Sequence, residues 1–383
     1  MHTIHIFHAI HKIFKIRSEL HEVYLNQIIR TFATALINVF IPIYLLSIGF
    51  SLQIALLYYL VVYSVMGLLS PFASSIASKI GLKHSVLFIT PVMVIYFLML
   101  IIMPFIDAIN NIWFLSLIAL LSGLSSVIYW NSINSEFVKN SHKIHSAEET
   151  SHMMGFPKLA MIFAPAIGGL VTEFMGFDPL FVIVMVLLMV SVAPLFATAD
   201  YKKKFKFKLR FFRILINKKF SILHFSRGVT DIIESIIWPV YIYIVFSDIL
   251  TVGIAFSITA FAIVLFTLFI GKVSDKIGRK KLLRIGGIGL IFSWISAIFV
   301  TSMLEIFLLS FLIGIFGTLM RLSIFANFSD FARVRNILAN VANRESWLCI
   351  GRVAILIVLI LVLVNFQIAF VIAALVSVVF LAL

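Results

Sequence analysis

The chain is a succession of long apolar runs separated by short polar segments. Runs of bilayer-spanning length fall at about 24–49, 52–78, 83–104, 111–137, 151–175 and 178–198, then at about 221–247, 251–272, 282–301, 304–328, 345–364 and 366–383. A helix rises about 1.5 Å per residue, so roughly 20 apolar residues cross the hydrocarbon core. In lipid a backbone satisfies its own polar groups only as helix or closed barrel, and runs of this length predict helix. The pattern therefore predicts an all-α integral membrane protein of twelve transmembrane helices.

The polar segments alternate in kind. Segments 1–23, 79–83, 138–150, 199–220, 272–284 and 329–344 carry nearly all the loop Lys and Arg. The other set, 49–51, 104–110, 176–178, 247–251, 301–305 and 364–367, carries none and holds Asp107, Asp178, Asp248 and Glu305 instead. The positive-inside rule then expects a multi-pass protein of the cytoplasmic (inner or plasma) membrane with both termini cytoplasmic.

Composition agrees with lipid as the main solvent. Hydrophobic residues make up 62% and charged residues 12%, a balance that no soluble domain of 383 residues could hide in one core. The net charge of +14 does not imply nucleic acid, because the basic residues lie in loops that meet anionic headgroups rather than on a soluble face. The single cysteine, Cys349, excludes an intrachain disulfide. The basic, amphipathic start (Phe7, Ile10, Ile13 and Phe14 against Lys12, Lys15 and Arg17) leads into an apolar run longer than a signal sequence has, so it is expected to be retained.

The chain repeats. Arg30, Pro42 and Tyr44 recur as Arg227, Pro239 and Tyr241 at an offset of 197, which also places Lys79-Ile80-Gly81-Leu82-Lys83 on Lys276-Ile277-Gly278-Arg279-Lys280. With a three-residue adjustment Glu136-Phe137 falls on Asp330-Phe331. The organisation this predicts is a cytoplasmic amphipathic N-terminus (1–23), a six-helix bundle (24–198), a basic linker (199–220) and a second six-helix bundle (221–383) in the same orientation. Lys202, Lys203, Lys204, Lys206, Lys208, Arg210 and Arg213 alternate with Phe205, Phe207, Phe211 and Phe212 in the linker, as expected of an interfacial helix on anionic headgroups.

The segment Gly271-Lys-Val-Ser-Asp275-Lys276-Ile-Gly278-Arg279-Lys280-Lys281 resembles the G-x-x-x-D-R/K-x-G-R/K-R/K signature of the major facilitator superfamily. Gly271 would let two helices approach, Asp275 would pair with cations or a helix N-terminus, and Gly278 would turn the chain. The resemblance implies two pseudo-symmetric six-helix bundles rocking about a central site, with this segment as a gate. In the first half Lys79 and Gly81 are kept, but Ser78 stands where the family has its acid. Ala164-Pro165-Ala-Ile-Gly168-Gly169 is similar to the core of the antiporter signature. Its residues are equally those of a proline kink with close helix packing.

Ionisable groups within the bilayer cost roughly 2.5–3.5 kcal/mol each on insertion scales, so each needs a reason. Arg30, Lys158, Arg227, Arg321 and Arg352 lie within a few turns of a basic helix end, near enough for long stems to snorkel. Arg227, Asp231, Glu234, Trp238 and Tyr241 are spaced to share one helix face, with Asp231 and Glu234 too deep for short side chains to reach headgroups. An Asp231–Arg227 pair would be structural, whereas Glu234, assisted by Asp231, is the expected proton-coupling or cation-binding group. Asn38, Trp130, Asn131 and Asn134, with Arg30, are further candidates for solute contact or for interhelical bonds. His2, His5, His8 and His11, and His142 and His145 with Glu148, have spacings that suit a metal or simply solvated interfacial histidines.

No convergent nucleophile, metal or acid–base set points to an enzyme, and no cofactor is implied. The expected function is secondary active transport of a small solute by alternating access, proton-coupled, efflux-type antiport being favoured, by a monomer. A transport-inactive receptor or scaffold, or a uniporter or symporter using another ion, is the alternative.

Overall fold

In the computed structural model, residues 18–106, 112–140, 159–196, 218–333, 337–362 and 365–382 are described. Each apolar run contains helix, and the runs are numbered 1 to 12 in chain order below. Run 1 comprises Ser18–Ile37 and Ile41–Ser47, run 2 Leu52–Ile80, run 3 Leu82–Ile102, run 4 Ile112–Asn140, run 5 Ala164–Met175 and run 6 Phe177–Val192. Run 7 is Lys218–Ile232, Ile233–Ile237 and Trp238–Phe246; run 8 is Ile249–Ile277, run 9 Arg279–Ala297, run 10 Met303–Arg333, run 11 Ile337–Leu361 and run 12 Phe366–Ser377. Among the described residues eight stretches, in runs 1–4, 6–8 and 10, are long and apolar enough to cross a membrane. Runs 5 and 12 are shorter apolar helices, and runs 9 and 11 carry several charges. Large apolar side chains such as Leu68, Phe88, Phe269 and Phe292 point outward, the inverted surface of a protein solvated by lipid.

The two halves pack alike. Run 1 lies on runs 5 and 6, run 3 on runs 4 and 6, and run 2 on run 4. Shifted by six, these become run 7 on runs 11 and 12, run 9 on runs 10 and 12, and run 8 on run 10, all of which occur. The large contacts between halves, run 2 on run 11 and run 5 on run 8, exchange under the same shift. Among the described residues the fold is thus all-helical, in two pseudo-symmetric halves.

Proline breaks the first run of each half at the same place. Pro42 and Pro239 each lack an N–H and clash with the carbonyl four residues back, so the preceding turn cannot stay α-helical. In run 1 the response is a break at residues 38–40, in run 7 a π-helical turn at Ile233–Ile237. The chain reverses between runs 2 and 3 at Gly81 (φ +111°) and between runs 8 and 9 at Gly278 (φ +84°), backbone conformations that favour glycine.

In lipid, apolar burial drives helix association weakly, so close backbone approach and polar bonds count for more. Gly168 sits against run 1, where a Cβ would lie 2.0 Å from the Leu36 carbonyl oxygen. Gly351 and Gly228 make the equivalent approach between runs 11 and 7, with 2.1 Å to the carbonyl oxygens of Phe225 and Leu348 respectively. The neighbouring Gly169 faces the other bundle, touching Leu250 and Gly253 of run 8, and a Cβ on Gly253 would meet the Pro165 carbonyl oxygen at 2.6 Å. This contact lies near the bundle end opposite the basic loops. Gly253→Ala is therefore expected to part the halves there while leaving each bundle folded. Thiol labelling of cysteines between runs 5 and 8 checks this; unchanged labelling contradicts it.

At the basic end an apolar plug spans both halves. Tyr24 of run 1, Phe137 and Val138 of run 4, Phe325 and Phe328 of run 10 and Val341 of run 11 are buried in one cluster, with Phe220 of run 7 packed on it. Beside this end Arg279 donates to Asp330 (2.7 Å) and Asn327 (3.2 Å), tying run 9 to the end of run 10.

Candidate functional site

Runs 7, 10 and 11 bring seven charged side chains into one chain of alternating sign. Arg321 of run 10 donates through Nη1 to Glu234 of run 7 at 2.5 Å. Glu234 is shared with Arg227 at 3.4 Å, and Arg227 also pairs with Asp231 one turn along the same helix. Asp231 accepts in turn from Nη2 of Arg352 on run 11 at 3.0 Å. Arg352 continues to Glu345 at 3.4 Å, and Glu345 to Arg344 at 3.9 Å. Arg344 ends the chain over the rings of Phe325 and Phe328, at 5.0 and 5.1 Å, which joins it to the apolar plug.

The chain lies deep within its helices and keeps some exposure. Arg227, Arg321 and Arg352 lie 9 to 15 residues inside their helices, or about 14–22 Å at the helical rise. The side chains of Arg227, Asp231, Glu234, Arg321 and Arg352 keep 12–17% of their accessible surface, so the chain is sheltered but not sealed from solvent. The first half contributes aromatic rings. Tyr63 of run 2 lies 4.9 Å beneath the Arg352 guanidinium and stacks with Tyr59. The π-helical turn includes Glu234, and Ser235 within it donates to the Asp231 carbonyl oxygen at 2.6 Å.

The expected single stripe on run 7 divides at that turn. A π-turn inserts one residue relative to α-helical phase and so rotates the later side chains by about 100°. Arg227, Asp231 and Glu234 meet in the ionic chain, but Trp238 turns into the core of the second bundle. There it donates to the Ser310 hydroxyl at 3.1 Å and packs on Tyr241, Trp294 and Phe370. Tyr241 donates to the Val300 carbonyl oxygen at 3.3 Å.

The first half differs although the repeat places Arg30 opposite Arg227. Arg30 is buried, lies 3.7 Å over the Tyr129 ring and donates to the Met93 sulfur at 3.3 Å. Asn131 is fully buried and donates to the Ser70 carbonyl oxygen at 2.8 Å and to the hydroxyls of Ser70 and Ser74, an interhelical role. Asn134 is buried as well, whereas Trp130 is 43% exposed and Asn38 is exposed at the break in run 1.

Arg352 does not snorkel; it is held inside the bundle by Asp231 and Glu345. Glu234, expected to stand apart from the Arg227 pair, has two cationic partners. Arg321, Arg344, Glu345 and Tyr63 complete the site and were not singled out by the run 7 spacing. The available signal was that runs 10 and 11 each bury an arginine that needs an anion.

The side chains of residues 271–277, including Gly271, Asp275 and Lys276, lie outside the described residues, as do Lys158, His142, His145, Glu148 and the N-terminal histidines. Of the remaining gate residues, Lys79 and Lys280 are exposed. Among the described residues no group of three or more His, Cys, Asp or Glu is arranged to hold a metal.

Residues 220–383 match the family model described as Major Facilitator Superfamily. A comparison with curated proteins finds no significant match. The fold is similar over 96% of this chain and 98% of the other to the human organic anion transporter MFSD10 (TETRAN), at TM-score 0.69 and 10% identity. It is similar over 96% and 98% to a variant of the E. coli fucose:proton symporter FucP, at 0.68 and 12%. A bacterial homologue of the iron transporter ferroportin in an outward-facing state gives 0.65 and 16% over 96% and 99%. The second half of the chain thus matches the Major Facilitator Superfamily model, and the chain shares its fold with these transporters over 96% of its length.

Proposed function

We propose that this protein is a secondary active transporter that moves a small solute across the cytoplasmic membrane by alternating access. One observation carries the reading: an ionic chain deep in the second bundle, partly open to solvent and joined at one end to the plug between the halves. A buried ion pair adds little to stability over an apolar substitute, so seven linked charges at this depth call for a functional reason. The bundles span 24–198 and 221–383, and the basic linker between them lies largely outside the described residues. Both termini are cytoplasmic, so the plug seals the cytoplasmic end.

Proton coupling through Glu234, with Asp231 in support, is the finer part of this proposal. Arg227 and Arg321 hold the Glu234 carboxylate, so proton uptake requires them to part from it, which ties protonation to movement of run 10 against run 7. The proteins of similar fold are named for substrates as different as organic anions and fucose with protons, so they fit a carrier without selecting the solute. Efflux-type antiport is the favoured direction.

The test is a thermal-shift screen of solutes on the purified protein, followed by flux of each stabilising solute into liposomes with and without a pH gradient. Gradient-dependent flux supports the proposal. Solutes that bind without any flux would assign a receptor or scaffold instead.

Orientation has its own check. In a Cys349→Ser background, a cysteine replacing Phe105 is expected to react with an impermeant thiol reagent from outside intact cells, and one replacing Lys79 is not. Both side chains are exposed, so access depends only on the side of the membrane. Reversed labelling contradicts the topology.

A further inference from the structure

We infer that the solute is an organic anion whose carboxylate is taken by Arg321 in competition with Glu234. This rests on the ionic chain being the solute site, as proposed above.

Among the described residues the ionic chain is not neutral. Arg227, Arg321, Arg344 and Arg352 there pair with Asp231, Glu234 and Glu345, so one positive charge is left over. In the first half the buried Arg30 adds another cation, in contact with an aromatic face and a thioether, and its Nη1 has no hydrogen-bond partner among the described residues. Surplus positive charge at this depth favours an anionic guest and disfavours a cationic one.

The surplus has an address. Each carboxylate is shared by two arginines, which leaves the terminal arginines, Arg321 and Arg344, with one each. Arg344 gives its face to two phenylalanine rings. Arg321 spends Nη1 on Glu234, while its Nε and Nη2 are buried without a partner among the described residues. That edge is the planar fork that grips a carboxylate at two points, which a lysine could not offer. Gly317, on the preceding turn, leaves room for the guanidinium, since a Cβ there would lie 2.9 Å from Nη2. A guest carboxylate on that edge and Glu234 on Nη1 would divide the charge of one guanidinium and repel each other, and in that sense they are rivals. Tyr59 and Tyr63, stacked beside Arg352, offer an apolar surface for the body of such a molecule.

The experiment measures binding of 3-phenylpropionate, 3-phenylpropanamide and 3-phenylpropylamine to the purified full-length protein in lipid nanodiscs. The carboxylate is expected to bind about ten-fold or more tighter than the amide, and the amine not at all, because only the carboxylate completes the fork. Arg321→Gln is expected to erase the preference. Glu234→Gln is expected to strengthen carboxylate binding by removing the internal rival, an outcome that a purely structural Arg321–Glu234 pair does not produce. If Arg321→Gln fails to fold, the sign of the Glu234→Gln effect decides. Equal affinity for carboxylate and amide, or weaker carboxylate binding by Glu234→Gln, would overturn the inference. Carboxylate preference without flux in liposomes would leave the anion site standing and remove the transport reading, whereas gradient-driven flux without that preference would do the reverse.

Discussion

Asp231→Asn is expected to destabilise the protein. Asp231 takes Arg227 on one carboxylate oxygen and Arg352 on the other, so its loss leaves Arg227 with Glu234 alone and Arg352 with Glu345 alone, and removes the anion between the two guanidiniums. Removing one partner from a buried ion pair costs about 3–5 kcal/mol, because the remaining charge stays desolvated. Residual exposure of 13–17% on these side chains lets water relieve part of that cost, which favours the lower end of the range. Thermal unfolding in detergent should fall by several degrees. Asp231→Asn combined with Arg352→Gln should recover part of the loss, since it removes one of the two cations that shared the lost carboxylate. An unchanged midpoint in the single variant contradicts the arrangement.

Glu234→Gln is expected to reduce gradient-driven solute accumulation to the level of empty liposomes while solute exchange persists. The substituted amide keeps the size and a hydrogen-bond acceptor for Arg321 but cannot take up and release a proton. Binding and rocking of the bundles therefore continue, and only the link to the gradient is cut. Counterflow of a preloaded solute, measured beside pH-driven uptake in the same vesicles, separates the two effects. Wild-type accumulation in the Glu234→Gln protein would assign the coupling role elsewhere.

The sequence showed the scaffold more fully than the site, and the reason is range. Helices along the apolar runs, the paired breaks near Pro42 and Pro239 and the turns at Gly81 and Gly278 depend on local chemistry, which periodicity and repeats record. The Arg227–Asp231 pair is also local, four residues on one helix. The Arg321–Glu234 pair joins positions 87 residues apart, and Arg352–Asp231 joins positions 121 apart. Either depends on how run 7 packs against its neighbours. The π-helical turn changed the phase of run 7, so Trp238 left the stripe that α-helical spacing assigned to it. The repeat proved a guide to backbone but not to charge. Arg30 and Arg227 occupy equivalent places, yet one meets a tyrosine ring and the other two carboxylates.

The packing also explains why neighbouring glycines in one motif serve different ends. Gly168 closes run 5 onto run 1 within its bundle, whereas Gly169 faces run 8 of the other. A signature associated with antiport here performs both intra-bundle and inter-bundle packing, and its chemistry alone does not select a direction of transport.

Alternating access about the ionic chain is the central claim, and paired distance measurements test it most directly. Spin labels on exposed Lys79 and Lys280 report on the basic end across the two halves, and labels on exposed Phe105 and Leu304 report on the opposite end. On shifting the pH or adding a stabilising solute, the account predicts that one distance lengthens as the other shortens. Distances that stay fixed under every condition, or that lengthen together, would contradict it.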